Sequence, residues 1–121
     1  QRNIALNRLE REILIWDLIT PHPSDEPKQN HRFVTQFLIP RDKDVEIVSP
    51  TKVLVKKDAL ILEISTTSAP DHVDVALGQE TPSLRGWRSV KFGVKEAAHS
   101  LRYYNEGPKL NCTYTFRFLT D

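Results

Sequence analysis

The sequence predicts an all-β protein: an antiparallel β-sandwich of two layers and about ten short strands. Three observations carry that expectation. Apolar residues recur at every second position rather than every third or fourth. Turn residues interrupt the pattern roughly every 8 to 12 positions, the spacing of sandwich strands. The eight prolines and four glycines fall largely in or beside the interruptions, where a strand interior would not tolerate them. The rival helix, Val94 to Tyr103, holds the helix formers Lys95, Glu96, Ala97 and Ala98 but is too short and too weakly amphipathic to win.

The elements follow in order. Ile4 and Leu6 alternate with Asn3, Ala5 and Asn7, and Ile13 and Ile15 alternate with Leu14 and Trp16. The short stretch Asn7 to Glu10 between them predicts a hairpin. Pro21, Pro23 and Pro27 then impose a loop from Thr20. Phe33, Thr35, Phe37 and Ile39 form a long alternating strand closed by Pro40, with a charged turn over Arg41 to Asp44. Val45 and Ile47 before Pro50, then Val53 and Val55, mark two short strands, and Lys56, Lys57 and Asp58 mark a turn. Leu60, Leu62 and Ile64 define the next strand, and Val73, Val75 and Leu77 another, ending at Gly78. Gln79 to Gly86 reads as a loop. Trp87 to Val94 reads as a strand broken at Gly93, with a turn around Glu96. Leu101 to Tyr104 is a strand that ends in the turn residues Asn105 to Pro108. The last strand places Leu110, Cys112, Tyr114, Phe116 and Phe118 on one face.

The chain has 121 residues, 39% of them hydrophobic and 27% charged, which suits one domain over residues 1–121. Seventeen basic against sixteen acidic residues leave a net charge of +1, so a strongly basic nucleic-acid binder is excluded. No apolar run approaches the roughly 20 residues of a membrane helix. Neither nucleic acid nor membrane is an expected partner. Cys112 is the single cysteine, which excludes an internal disulfide and any Cys-rich zinc module. The start at Gln1 and the lack of methionine suggest a domain of a longer protein, with exposed edges that would self-associate.

Little catalytic chemistry is visible. The glycines are never clustered, so no phosphate loop exists. The histidines His22, His31, His72 and His99 are scattered, and no Ser-His-Asp set converges in the sequence. Asp71, His72 and Asp74 read as a solvated cluster at a strand start, Asp17 as a turn acceptor, His31 as a strand-end hydrogen-bond donor, and Cys112 as a buried thiol. No catalytic residue, metal ligand or cofactor is assigned. One segment stands out: Arg85, Arg88, Lys91 and Lys95 lie within eleven residues free of Asp and Glu, with Trp87 and Phe92 interleaved. Arg102, Tyr103 and Tyr104 extend it. Guanidinium forks match carboxylate or sulfate, and aromatic faces pack on sugar rings, so Arg85, Trp87, Arg88, Lys91 and Lys95 are the candidate residues for an acidic polysaccharide. The plainer reading of the same residues is a strand edge guarded by positive charge.

The segment Arg85-Gly86-Trp87-Arg88-Ser89-Val90-Lys91-Phe92-Gly93-Val94-Lys95 resembles the GW-x-S-x-x-Y/F-G-x-K/R stretch of heparinase II/III-like proteins. Glu12-Ile13-Leu14-Ile15-Trp16-Asp17-Leu18-Ile19 is similar to the family strand ending in D-x-I/V, and His31 to Pro40 to its H-x-x-x-x-x-F-x-L-x-P strand, in the same order. Phe92 stands where the family often has tyrosine, and Glu96-Ala97-Ala98 where it commonly has proline. The resemblance implies the C-terminal β-domain of a polysaccharide lyase that joins an α/α toroid to a β-sandwich and cleaves uronic-acid polysaccharides by β-elimination. It implies that the reaction centre lies before Gln1, that this domain alone is inactive, and that the toroid and the acidic polysaccharide are its partners. It points to a periplasmic or secreted protein, and to a parent in which a structural metal occurs, with no metal ligand carried over to this chain. Without that ancestry, the sequence reads as a carbohydrate-binding or purely structural sandwich.

Overall fold

A computed structural model describes residues 1–21 and 30–119. The proline-rich loop and His22 expected from the sequence lie mostly outside the described residues. Ten strands follow one another: β1 (Arg2–Asn7), β2 (Glu12–Ile19), β3 (His31–Pro40), β4 (Asp44–Ser49), β5 (Lys52–Lys57), β6 (Leu60–Thr66), β7 (His72–Leu77), β8 (Trp87–Lys91), β9 (Val94–Gly107) and β10 (Leu110–Phe118). They form two antiparallel sheets, and no helix occurs among the described residues. Sheet A has six strands in the order β1-β2-β10-β6-β5-β4. Sheet B has the order β3-β9-β7, with β8 also paired to β9. The expected two-layer sandwich is therefore the architecture observed.

Strict alternation decides which side chains meet between the layers. Val53, Val55, Ile64, Leu110, Cys112 and Tyr114 from sheet A pack against Ile39, Leu101 and Tyr103 from sheet B. Phe37 joins the layers, its ring edge-on to Tyr114 at 5.3 Å and to Phe116 at 5.0 Å between centroids. Such pairs add to the roughly 1.5–3 kcal/mol that each large apolar side chain gains on burial. The outward side of sheet A carries cross-strand ion pairs, Arg117–Glu12 at 2.7 Å and Lys56–Glu46 at 3.0 Å, beside apolar side chains such as Leu14 and Trp16.

Two element expectations are corrected. The turn falls at Phe92 and Gly93, not around Glu96, because Gly93 takes a left-handed φ of 76° and lets Lys91 pair with Val94. Glu96 consequently lies inside β9, which runs unbroken for 14 residues. Its end also extends to Gly107, since Asn105, Glu106 and Gly107 pair with Phe33, Arg32 and His31.

Strands β7 and β8 flank the same side of β9 in succession. Leu77 pairs with His99 and Trp87 with Ala97, so the intervening loop is an excursion from one interrupted strand. Its neck closes through Gln79 and Arg85, which exchange backbone hydrogen bonds of 2.8 and 2.9 Å. Gly86 sits where an added Cβ would lie 2.7 Å from the Ala76 carbonyl oxygen and 2.8 Å from that of Ala98. Only glycine lets the loop return this close to two strands at once.

Candidate functional site

The outer face of sheet B gathers polar and aromatic side chains from three strands, β3, β9 and β7. Alternation turns Arg32, Val34, Gln36 and Leu38 of β3 outward, because Phe33, Phe37 and Ile39 pack against the core and Thr35 is buried. The register sets Gln36, Arg102 and Asp74 in one row and Val34, Tyr104 and His72 in the next. The Tyr104 and His72 rings lie 5.5 Å apart. A recess of about 240 Å³ opens there, lined by Arg32, Asp71, His72, Tyr104 and Glu106. A second, of about 160 Å³, lies further along, bounded by Gln36, Leu38 and Arg102 on the sheet and by Leu84 to Trp87 on the loop.

A hydrogen-bonded chain crosses this face. Arg85 Nε donates to Ser100 Oγ at 3.0 Å, and its terminal nitrogen to the Ser100 carbonyl at 2.9 Å and to the Asp74 carboxylate. Ser100 Oγ donates to Gln36 Oε1 at 2.8 Å, and Arg102 Nε donates to the same oxygen at 2.8 Å. Partial burial works against ionisation of Asp74. Hydrogen bonding and charge from Arg85, with His72 adding to them, outweigh it and hold the carboxyl below its ordinary value.

The five residues singled out in the sequence do not converge. Arg85 is buried, its side chain 8% exposed, and engaged by Ser100 and Asp74. It shapes the face rather than facing outward from it. Trp87 donates its indole N–H to the Gln79 carbonyl at 2.9 Å, and Lys95 Nζ lies 4.1 Å from the centre of its ring. Arg88 pairs with Glu96 at 3.5 Å, a register position of opposite parity to Trp87 and Lys95. Lys91 is exposed where β8 turns into β9, and forms no ion pair among the described residues. Lys95 also reaches Glu80 at 3.8 Å. The run free of acids in sequence is thus met by Glu80 and Glu96 in space.

Of the residues extending that run, Tyr103 turns inward and is 1% exposed, so it does not belong to the face. Burial pushes its phenol well above the ordinary value, and its hydroxyl finds no partner among the described residues. Arg102 and Tyr104 do lie on the face. Arg32, Gln36 and His72 join them; the sequence marks His72 only as part of a solvated cluster and the other two not at all, because nothing in one strand reveals which strand it pairs with. Outside this face, Asp17 is a buried ion-pair partner rather than a turn acceptor: Arg2 reaches its two oxygens at 2.6 and 2.7 Å. No group of three metal-ligating side chains occurs among the described residues.

Chemically, Arg32 and Arg102 form no ion pair among the described residues, and they flank Tyr104 in the register. Two guanidiniums around one aromatic ring can fork to carboxylate or sulfate groups while the ring takes a sugar face. No family model, no curated protein and no solved structure matches the chain.

Proposed function

We propose that this chain is the β-domain of a heparinase II/III-like polysaccharide lyase, non-catalytic by itself, which holds acidic polysaccharide on the outer face of sheet B. The observation that carries the reading is the placement of Arg32 and Arg102 on either side of Tyr104, neither of them in an ion pair among the described residues although the register sets Glu106 opposite Arg32 and Asp74 opposite Arg102. The ordered sequence motifs around Asp17, His31 and Trp87, which resemble that family's, support the family part of the reading. From Arg88 to Tyr104 the face follows about 8 residues of β9, roughly 26 Å, enough to track several linked sugars.

An apolar cleft supports a domain neighbour. About 480 Å³ lies open between the layers where Ile13, Phe37, Pro40, Leu60, Phe116 and Phe118 meet, and Leu60 and Phe118 are 55% and 47% exposed. The α/α toroid is the neighbour proposed to cover it.

The test is a pair of assays. Release of unsaturated uronate from heparin, heparan sulfate, hyaluronan and alginate is followed for this chain and for one extended through its native upstream sequence. Activity of the longer protein alone supports the lyase reading. Silence from both, with glycan affinity retained, moves the assignment to a stand-alone carbohydrate-binding module. Absence of affinity as well leaves a structural domain.

A further inference from the structure

Sheet A is wider than sheet B, and its β1 edge is unusual among the sheet edges. The inward side chains of β1, Ile4 and Leu6, are 67% and 62% exposed, opposite Ile15 and Ile13. Other edges are guarded. Strand β4 carries Asp44 and Glu46 and a register break between Ile47 and Ser49. Strand β3 carries Arg32 and closes on Pro40, and the β7–β8 edge is interrupted by the loop excursion. From Asn3 to Asn7, β1 has no charge, proline or bulge. Natural edges without such guards invite strand addition.

The backbone of β1 shows which groups are free. Gln1 N donates to the Leu18 carbonyl and Leu18 N to the Gln1 carbonyl, both at 2.8 Å. Antiparallel alternation then directs Asn3, Ala5 and Asn7 toward β2, and Arg2, Ile4 and Leu6 outward. We infer that β1 is a strand-addition surface whose occupant is β1 of a second copy of this chain. Asn3-Ile4-Ala5-Leu6-Asn7 reads nearly alike in both directions. Antiparallel pairing about a twofold axis at Ala5 sets Ile4 of one copy opposite Leu6 of the other, and Asn3 opposite Asn7.

The register meets two further requirements. Ile4 and Leu6 are the residues with outward backbone groups, so their pairing forms about four hydrogen bonds between copies. Even-numbered residues stay on one face, so the apolar side chains of both copies meet each other, as a self-complementary twofold contact demands. Arg2, which comes opposite Arg8, has its charge met by Asp17. Six-residue strands bury less than the roughly 1,200 Å² of a tight complex, so the dimer is weak and concentration-dependent. This inference rests on sheet A alone and stands or falls apart from the glycan face on sheet B.

Sedimentation of the whole chain over a concentration series tests it. The weight-average mass is expected to rise from 14.0 kDa toward twice that value. Ile4→Pro removes an outward N–H and none of the bonds to β2, and is expected to stay monomeric. Ala5→Cys places one thiol opposite its own copy in a pair without hydrogen bonds. There Cα atoms are about 4.5 Å apart, within the disulfide range of roughly 4.4–6.8 Å. Under mild oxidation it is expected to cross-link at least tenfold faster than Leu9→Cys, which is 96% exposed but off the strand. A mass that stays at 14.0 kDa, a dimer that survives Ile4→Pro, or equal cross-linking of the two cysteine variants would overturn the inference. Should Ile4→Pro fail to fold, the cysteine comparison decides.

Discussion

Arg85 and Tyr103 occupy opposite ends of the same question: what a polar side chain does when the fold buries it. Arg85 is satisfied by Ser100 and Asp74, and its removal leaves both without their cation. A broken buried pair costs about 3–5 kcal/mol, and the 35% exposure of Asp74 brings that down to roughly 2–3 kcal/mol. Chemical denaturation of Arg85→Ala should show this loss. The effect on glycan affinity should be smaller than for Arg102→Ala, because Arg85 holds the loop. Tyr103 is the reverse case. Its hydroxyl is buried without a partner among the described residues, so Tyr103→Phe should be neutral or stabilising by up to about 1 kcal/mol. A loss above about 1 kcal/mol would show that the hydroxyl has a partner.

Asp42 gives a residue-scale prediction with a pH sign. Hydrogen bonds from Lys57 and then Lys43 hold its carboxyl at about 2, below the ordinary 3.8. A folded value below the unfolded one means the contribution is complete above about 3.8 and is lost as pH falls toward about 2. Asp74 acts in the same direction. Carboxyl titration by NMR should place the midpoint of Asp42 below the ordinary 3.8, and Lys57→Gln should raise it. An unmoved midpoint would contradict the pairing.

At the scale of elements, the loop between β7 and β8 decides the shape of the site. Gly86 has φ of 79° and no room for a Cβ between the Ala76 and Ala98 carbonyls. Gly86→Ala should therefore cost at least about 2 kcal/mol, read as a lowered denaturation midpoint. It should also detach the loop that carries Arg85. Wild-type stability in this variant would mean that the loop does not pack on β9. The loop itself was legible in the sequence from its polar residues, Pro82 and Gly86. Its neck was not, since Gln79 and Arg85 meet only because β8 resumes the line of β7. Alternation likewise revealed β3 and β10 almost to the residue. The turn near Glu96 was misplaced because Gly93 alone, with a left-handed φ, suffices to reverse the chain.

At the scale of the molecule, two layers of unequal width explain both what is covered and what is open. Period-two patterning gave the inward set, Leu101 and Tyr114 among it, but pattern alone says nothing of strand order. The candidate site depends on that order. Arg32 and Arg102 are 70 positions apart, and they approach only because β3 pairs with β9 from His31↔Gly107 to Pro40↔Ala98. The cationic run at Arg85 to Lys95 was conspicuous in the sequence. Folding spends Arg85 internally and sets Arg88 and Lys95 beside Glu96 and Glu80. The face that remains available is the one with its two guanidiniums on different strands.

The most direct test of the acidic-glycan account is calorimetric titration of the chain with a heparin oligosaccharide, set against a neutral oligosaccharide of equal length. Binding to the acidic ligand alone is expected, weakening as salt rises. Joint Arg32→Ala and Arg102→Ala substitution should reduce affinity roughly tenfold or more, since two charge-assisted contacts are lost. The denaturation midpoint should stay unchanged. Equal affinity of the double variant, or no affinity of the native chain for any acidic polysaccharide, would contradict the account.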